Sequence, residues 1–404
     1  MARSKAVRPT PAEVERHVLR LQEAHPRMVT VADAGRSAEG RAIHAVTVTS
    51  RRGDDDDKQH VLIVAGQHGN EESGRMLALG TLDWLVSPAA AETRRKQKVV
   101  VVPCVNPDGA ARDTHLTPAG IAPNLDHPDT GAVSGEGRAV ESVAVGLEPE
   151  VFVDLHARGY TGCSYDMVLF PDTKISTEDD NLLHAIAADM AAAGEKGGIP
   201  QVVHPLTWPG WGGPGFDHSS TTCWVYRQFK SISLLTETAE DNRIAYPAAD
   251  RVRSGVAKLR TLLAWGNRRH PKLRYSGYPC YLAAGMFVSG IVAVGRTAAE
   301  RRASRVAAWR HRACFTRIDR CDPEPANDRR AVVHYAGEPL DVPVGVQTFV
   351  RGRRRVRSVH VNGKALRPGE TNGWTAWQDV CATYVVAALP GVGPGEHEIR
   401  VRYA

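Results

Sequence analysis

Residues 61–72 read VLIVAGQHGNEE, and no other stretch narrows the fold as much. A short unbroken apolar run that ends at a glycine reads as a strand buried on both faces, the pattern of a parallel sheet. The turn after it opens where the strand's C-terminal end meets solvent, the edge at which open α/β sheets build their sites. That turn carries His68 and Glu71, spaced H-x-x-E. Borderline Zn2+ accepts an imidazole nitrogen and a carboxylate oxygen together. Alone the pair is half a metal site, and chance H-x-x-E pairs are common.

Similar runs recur down the chain. Residues 98–102 form one and end in the turn CVNPDG. Residues 150–155 form another and deliver His156, and residues 231–235 a further one that delivers Glu237. Shorter strands are expected at 29–33 and around Ile43, Val46 and Val48. Between them lie helical periodicities at 11–25 (Val14, Val18 and Leu21 on one side, stopped by Pro26), 72–86, 178–193 and 247–265. Strand and helix in alternation predict a mostly parallel or mixed sheet covered on both faces. Three segments have no period: the charged connector RRGDDDDK, residues 110–136, and the Gly-, Pro- and Trp-rich stretch 194–217 with Trp208, Trp211 and Asp217. A long irregular segment inside a compact domain usually serves function. The text changes after about residue 270. An Arg-rich helix is expected at 297–312, and from 327 short alternating runs between Gly and Pro predict a small antiparallel β-sandwich. The expected division is therefore 1–270, a connecting and helical segment 271–326, and a sandwich 327–404.

Bulk properties exclude several classes. The 404 residues are 42% hydrophobic and 24% charged, an ordinary globular balance, and no apolar run is long enough to cross a bilayer. The N-terminus MARSKAVRPTPAEVERHV has a basic start with no apolar core behind it, so no signal peptide is expected. Seven scattered cysteines (Cys104, Cys163, Cys223, Cys280, Cys314, Cys321, Cys381) suggest reduced thiols and a cytoplasmic setting. The net charge of +6 comes largely from late arginines such as Arg301, Arg302 and Arg305 and the RGRRRVR stretch. These patches lack interleaved aromatics for stacking bases, so they read as a solvated face, and no nucleic-acid or membrane partner is expected. Assembly state is left open.

Three strand ends thus deliver His68 with Glu71, His156 and Glu237 to one sheet edge. Two histidines and one carboxylate leave a coordination position open for water. A further carboxylate must carry the proton from that water to a leaving nitrogen. Glu237 directly follows its strand and is preferred for this over Glu240 and Asp241.

The ordered series GRSAEGRAI, GQHGNEESG, VNPDG, FVDLH and LLTET resembles the zinc carboxypeptidase family, of the carboxypeptidase A/B type, over roughly residues 10–265. The resemblance implies an α/β fold, with a mixed eight-stranded sheet flanked by helices. It implies one zinc ion held by His68, Glu71 and His156, with Glu237 as general base and acid, and peptide or amide substrates. It also brings departures. The family's Asn-Arg pair, in a D-L-N-R context, holds the substrate's terminal carboxylate. The comparable stretch here is GIAPNLDHPD, where Asn124 matches the Asn and Leu125 stands where the Arg should be. Arg112 matches an upstream Arg that polarises the carbonyl, and Arg158 is the candidate to replace the missing clamp. His127 is a further, weaker candidate. Loss of a bidentate clamp removes the usual reason for cutting only at a C-terminus. Two other readings stay open: an N-acyl amino acid deacylase of the aspartoacylase and succinylglutamate desuccinylase type, and an inactive family member that acts as a binding module.

Overall fold

The computed structural model describes all residues except 1–8, 53–57, 128–130, 159–163, 172–176, 206–219, 230, 241–245, 270–287, 293, 312–313, 322–326, 352–353, 370 and 379–381. Trp208, Trp211, Asp217, Cys163, Asp241 and the acidic part of the 51–58 connector lie outside the described residues. The chain divides into two compact units. The first runs to Ser276, and the second comprises Gly277 onward together with two short earlier segments.

The first unit runs α1 (Pro11–Ala24), β1 (Val29–Arg36), β2 (Ala42–Val48), β3 (Gln59–Ala65), α2 (Glu72–Val86), α3 (Ala91–Lys96), β4 (Gln97–Val102), α4 (Pro107–Arg112), α5 (Gly135–Leu147), β5 (Val151–Arg158), β6 (Asp166–Phe170), α6 (Thr177–Lys196), β7 (Gln201–Pro205), α7 (Thr221–Phe229), β8 (Ile232–Ala239) and α8 (Ala248–Arg269). The eight strands form one sheet in the order β1-β2-β4-β3-β5-β8-β6-β7. Neighbours β4, β3, β5 and β8 run parallel, as do β6 and β7, whereas β1, β2 and the β6–β8 pair are antiparallel. The unbroken apolar runs are the central strands: residues 61–65 have no exposure at all. Helices α2 and α8 pack on each other, with α2 against β5 and α8 against β8, while α5 lies along β1 to β3 and α7 along β5 and β8. The expected mixed sheet with helices on it is what forms.

Six elements of this unit, α3, α4, α5, β6, β7 and α7, are absent from the periodicity reading. Helix α5 occupies residues 135–147, and Ser134 caps it by accepting the Gly137 N–H at 2.9 Å. Helix α4 forms on the NPDG turn, its first turn closed by Asn106 Oδ1 and the Gly109 N–H at 2.8 Å. Helix α7 is written TTCWVYRQF, a β-branched and aromatic text that reads as strand until packing decides. Strand β7 lies within the segment read as a loop.

The turns on either side of the site are locked to one another. Gly69, in the HGNE turn, lies so close to the α4 backbone that a Cβ there would overlap Gly109 and Ala110. Gly66, where the chain leaves β3, has φ +65, a left-handed conformation that favours glycine. Asp108 of α4 is fully buried and binds the turn between β1 and β2. It accepts Ser37 Oγ at 2.8 Å, the Glu39 N–H at 2.9 Å and Arg41 Nη1 at 2.6 Å. Two of the sequence motifs, GRSAEGR and NPDG, are thus a single contact.

The second unit holds β9 (Val288–Val292), α9 (Ala298–Arg310), β10 (Phe315–Cys321), β11 (Asp328–Tyr335), β12 (Val344–Arg351), β13 (Val356–Val361), β14 (Lys364–Leu366), β15 (Trp374–Gln378), β16 (Ala382–Leu389) and β17 (Gly395–Tyr403). Two antiparallel sheets, β10-β11-β17-β13-β14 and β15-β16-β12-β9, bury one shared core. Val333, Val359 and Ile399 meet Val346, Val385 and Ala387 there. Strands β9 and β10 add to the alternating runs read from residue 327, with β9 pairing along β12.

Gly69→Ala must push α4 away from the HGNE turn. It is expected to destabilise the chain by about 1–3 kcal/mol, read as a lower urea midpoint. The Asp108 carboxyl lies below the usual range. Burial works against its charge, but Arg41, the Glu39 N–H and the Ser37 hydroxyl outweigh it. A carboxylate depressed in the folded state stabilises above its unfolded pKa of about 3.9 and loses that contribution as pH falls through the lower folded value. Asp108→Asn is expected to cost about 2 kcal/mol at pH 7. The gap to the parent chain should narrow in unfolding curves recorded below about pH 4.

Candidate metal centre

Parallel pairing of β3, β5 and β8 sets their C-terminal ends side by side. The HGNE turn follows β3, and Glu71 is the residue from which α2 starts. His156 lies on β5 directly beside Glu237 of β8 in the sheet register. The ligand atoms of His68, Glu71 and His156 all lie within 4.8 Å of one another. His156 Nδ1 is 3.0 Å from Glu71 Oε2, and the same oxygen accepts the Ala157 N–H at 3.0 Å. The other ring nitrogen, Nε2, is 3.0 Å from Asp154 Oδ2. Asp154 is held in turn by Gln67 Nε2 at 2.6 Å, and Gln67 also reaches Thr221 at the start of α7.

Burial sets the electrostatics. His68 is pushed down to about 2, first by burial and then by the imidazoles of His156 and His115, so its ring is neutral with a lone pair to give. Burial would also lower His156, but Asp154 and Glu71 reverse that and raise it well above the ordinary range. Glu237 is raised to about 8, mainly by burial and also by the charges of Glu71 and Asp154, against the opposing pull of His156 and Arg158. The donor set fits a divalent cation. His68 Nδ1 and Glu237 Oε2 are buried without hydrogen-bond partners among the described residues. Three carboxyl groups, Glu71, Asp154 and Glu237, crowd around them, and a bound cation would stabilise their charged forms.

The remaining candidates fall in different places. Arg158, two residues beyond His156 on β5, is buried; its Nη2 donates to the Tyr165 carbonyl at 2.5 Å and its guanidinium lies 4.8 Å over the Tyr165 ring. Arg112, at the end of α4, pairs with Glu39 and is half exposed. Asn124 sits in a short 3-10 turn at Pro123–Leu125, its carbonyl accepting Thr221 Oγ1 at 3.3 Å and its buried Oδ1 unpartnered among the described residues. Leu125 is 43% exposed. Asp126 tethers the approach to α5 through the Val133 and Ser134 N–H groups. His127 is fully buried, with Nδ1 3.3 Å from Glu141 Oε1 and its ring stacked on Trp224. Glu240 accepts the Ser73 N–H at the start of α2 and lies 3.2 Å from Arg251, which also binds Ser73 Oγ and Glu72. That engagement separates it from Glu237, whose Oε2 has no hydrogen-bond partner among the described residues. One residue at the site went unread in the sequence: His115, whose ring lies flat on His68. Nothing in the spacing of DTHLTP marks it, because the contact is between separate loops.

With fold and site in view, comparison with known proteins gives a consistent class. Residues 14–130 match the zinc carboxypeptidase family. The fold is similar to a metallo-carboxypeptidase from Burkholderia cenocepacia, with 21% identity over 63% of this chain and 68% of that one and a TM-score of 0.52. It is also similar to carboxypeptidase A from Helicoverpa armigera (16% identity, 65% and 77% coverage, TM-score 0.53). A third is the metallo-carboxypeptidase from Pseudomonas aeruginosa, solved with (2-guanidinoethylmercapto)succinic acid (20% identity, 62% and 68% coverage, TM-score 0.51). The first unit therefore has the carboxypeptidase fold. Residues 14–130 thus resemble the zinc carboxypeptidase family, and the first unit shares its fold with these metallo-carboxypeptidases.

His68→Ala removes one donor of the set. The expected outcome is a large drop in zinc per chain after dialysis against metal-free buffer, measured by elemental analysis. A full equivalent of zinc retained by this variant would move the ligand elsewhere.

Proposed function

We propose that this chain hydrolyses a peptide or related amide bond, with one Zn2+ held by His68, Glu71 and His156 and with Glu237 as general base. The observation that carries the reading is the register of β5 and β8, which puts the Glu237 carboxylate beside the ligand His156. A zinc ion held there supplies Lewis acidity that activates water near neutral pH and polarises a carbonyl. Glu237 takes the proton of the attacking water on its unpartnered Oε2 and returns it to the leaving nitrogen. Asp154, 3.0 Å from His156 Nε2, orients the ring so that Nδ1 can serve as the ligand atom beside Glu71. Arg158 places a positive charge near Glu237 and is the candidate for binding an anionic substrate group. Asn124 offers an unpartnered amide oxygen. Arg112 would serve the carbonyl oxygen once released from Glu39, and removing a donor of that kind costs about 3–4 kcal/mol of catalysis.

Leu125 is exposed, and Arg112 is paired away from the ligand set. Neither supplies the carboxylate clamp of a strict exopeptidase, so that role falls to Arg158, and exo against endo cleavage is read from the cut positions. The same observation keeps an N-acyl amino acid deacylase as second reading. Mass spectrometry of a peptide library and a panel of N-acyl amino acids separates the two: peptide cleavage supports the first reading, and acyl release with intact peptides overturns it. Glu237→Gln is expected to keep its zinc and lose activity by at least about a hundredfold. Near-parent turnover in that variant would remove Glu237 from the mechanism.

A further inference from the structure

Ligand imidazoles are ordinarily fixed by a hydrogen bond to the nitrogen that does not face the metal. For His156 that side of the ring faces the Asp154 carboxylate, whose Oδ2 lies 3.0 Å from Nε2. For His68 the His115 backbone shares a hydrogen bond with the imidazole, and a second contact fixes the ring plane. The His115 ring covers its face at a centroid distance of 3.5 Å and an interplanar angle of 11°. We propose that His115 is a positioning residue for the metal ligand His68, acting through the face of its ring; the inference rests on the reading of His68 as a ligand.

Three further contacts support it. The His115 carbonyl accepts the Gly69 N–H at 3.4 Å, so the loop after α4 is tied to the HGNE turn one residue beyond His68. His115 Nδ1 lies 3.3 Å from Asn70 Oδ1, which sets the rotation of the covering ring. Gly69 in turn lies flush against Gly109, which fixes the height of that loop over the turn. The stack also has a chemical sense. An imidazole that gives its lone pair to a cation becomes electron-poor, and the face of a neutral aromatic ring stabilises it. His115 itself is exposed on its other side, so replacing it leaves the core of the unit in place.

The test uses the full chain loaded with zinc at pH 8, challenged with excess chromophoric chelator, and the rate of zinc release is followed. His115→Ala is expected to release zinc roughly tenfold faster than the parent. His115→Phe keeps a flat face over His68 and is expected to stay within about twofold of the parent. Unchanged urea midpoints in both variants separate the effect from unfolding. An Ala variant at the parent rate overturns the inference. So does a Phe variant as fast as the Ala variant, which would assign the effect to the ring nitrogens and Asn70. A parent chain that never takes up zinc is a different result, and it strikes the metal reading itself.

Discussion

The in-register parallel pairing of β3, β5 and β8 is the constraint on which the site depends. Side chains alternate faces along a strand, so a slip of one residue turns every one of them over. With His156 opposite Glu237, the histidine and the carboxylate stand beside each other; one step away they would point to opposite faces of the sheet. The register is specified by burial. Residues 61–65, Phe152, Val153, Leu155, Ile232 and Leu234 are all closed to solvent, and a slip would bring Asp154 or Ser233 into their places.

That rigid frame carries an unfavourable electrostatic load. Glu71, Asp154 and Glu237 are gathered at one sheet edge, where desolvation disfavours their charge. Each is stabilised only in part by its neighbours: Glu71 by the Ala157 N–H, Asp154 by Gln67, Glu237 by proximity to Arg158 and His156. Behind them Glu240, Arg251 and Glu72 anchor the first turn of α2 through Ser73. The helix that begins at Glu71 is therefore tied to the loop that follows Glu237. A site built this way is stiff before any ligand arrives, which favours metal ligation and proton transfer at fixed distances.

Much of this was legible in the residues because the signals are local. An unbroken apolar run before HGNE, another before His156 and another before Glu237 state the strand type, the edge and the candidate donor atoms at once. The alternating text after residue 327 states a sandwich. Other elements were hidden for physical reasons. Helix α7 is rich in Thr, Trp, Val and Tyr, and its helical state comes from burial against β5 and β8 and not from propensity. Helix α5 begins in a Gly-rich segment whose only start signal is Ser134. Strands β7 and β9 are short, and their pairing partners are distant in sequence.

Sequence by itself determined the class of sheet and the sandwich and singled out the candidate metal donors, since those follow from periodicity and residue chemistry at strand ends. Tertiary structure decided which charged side chains are engaged and where. It tied Arg112 to Glu39, turned Glu240 toward Ser73, left Glu237 Oε2 without a partner among the described residues, and laid His115 over His68. Each of those outcomes depends on the close approach of segments far apart in the chain, through contacts such as Gly69 on Gly109, and distances across a fold are not written in spacing along it.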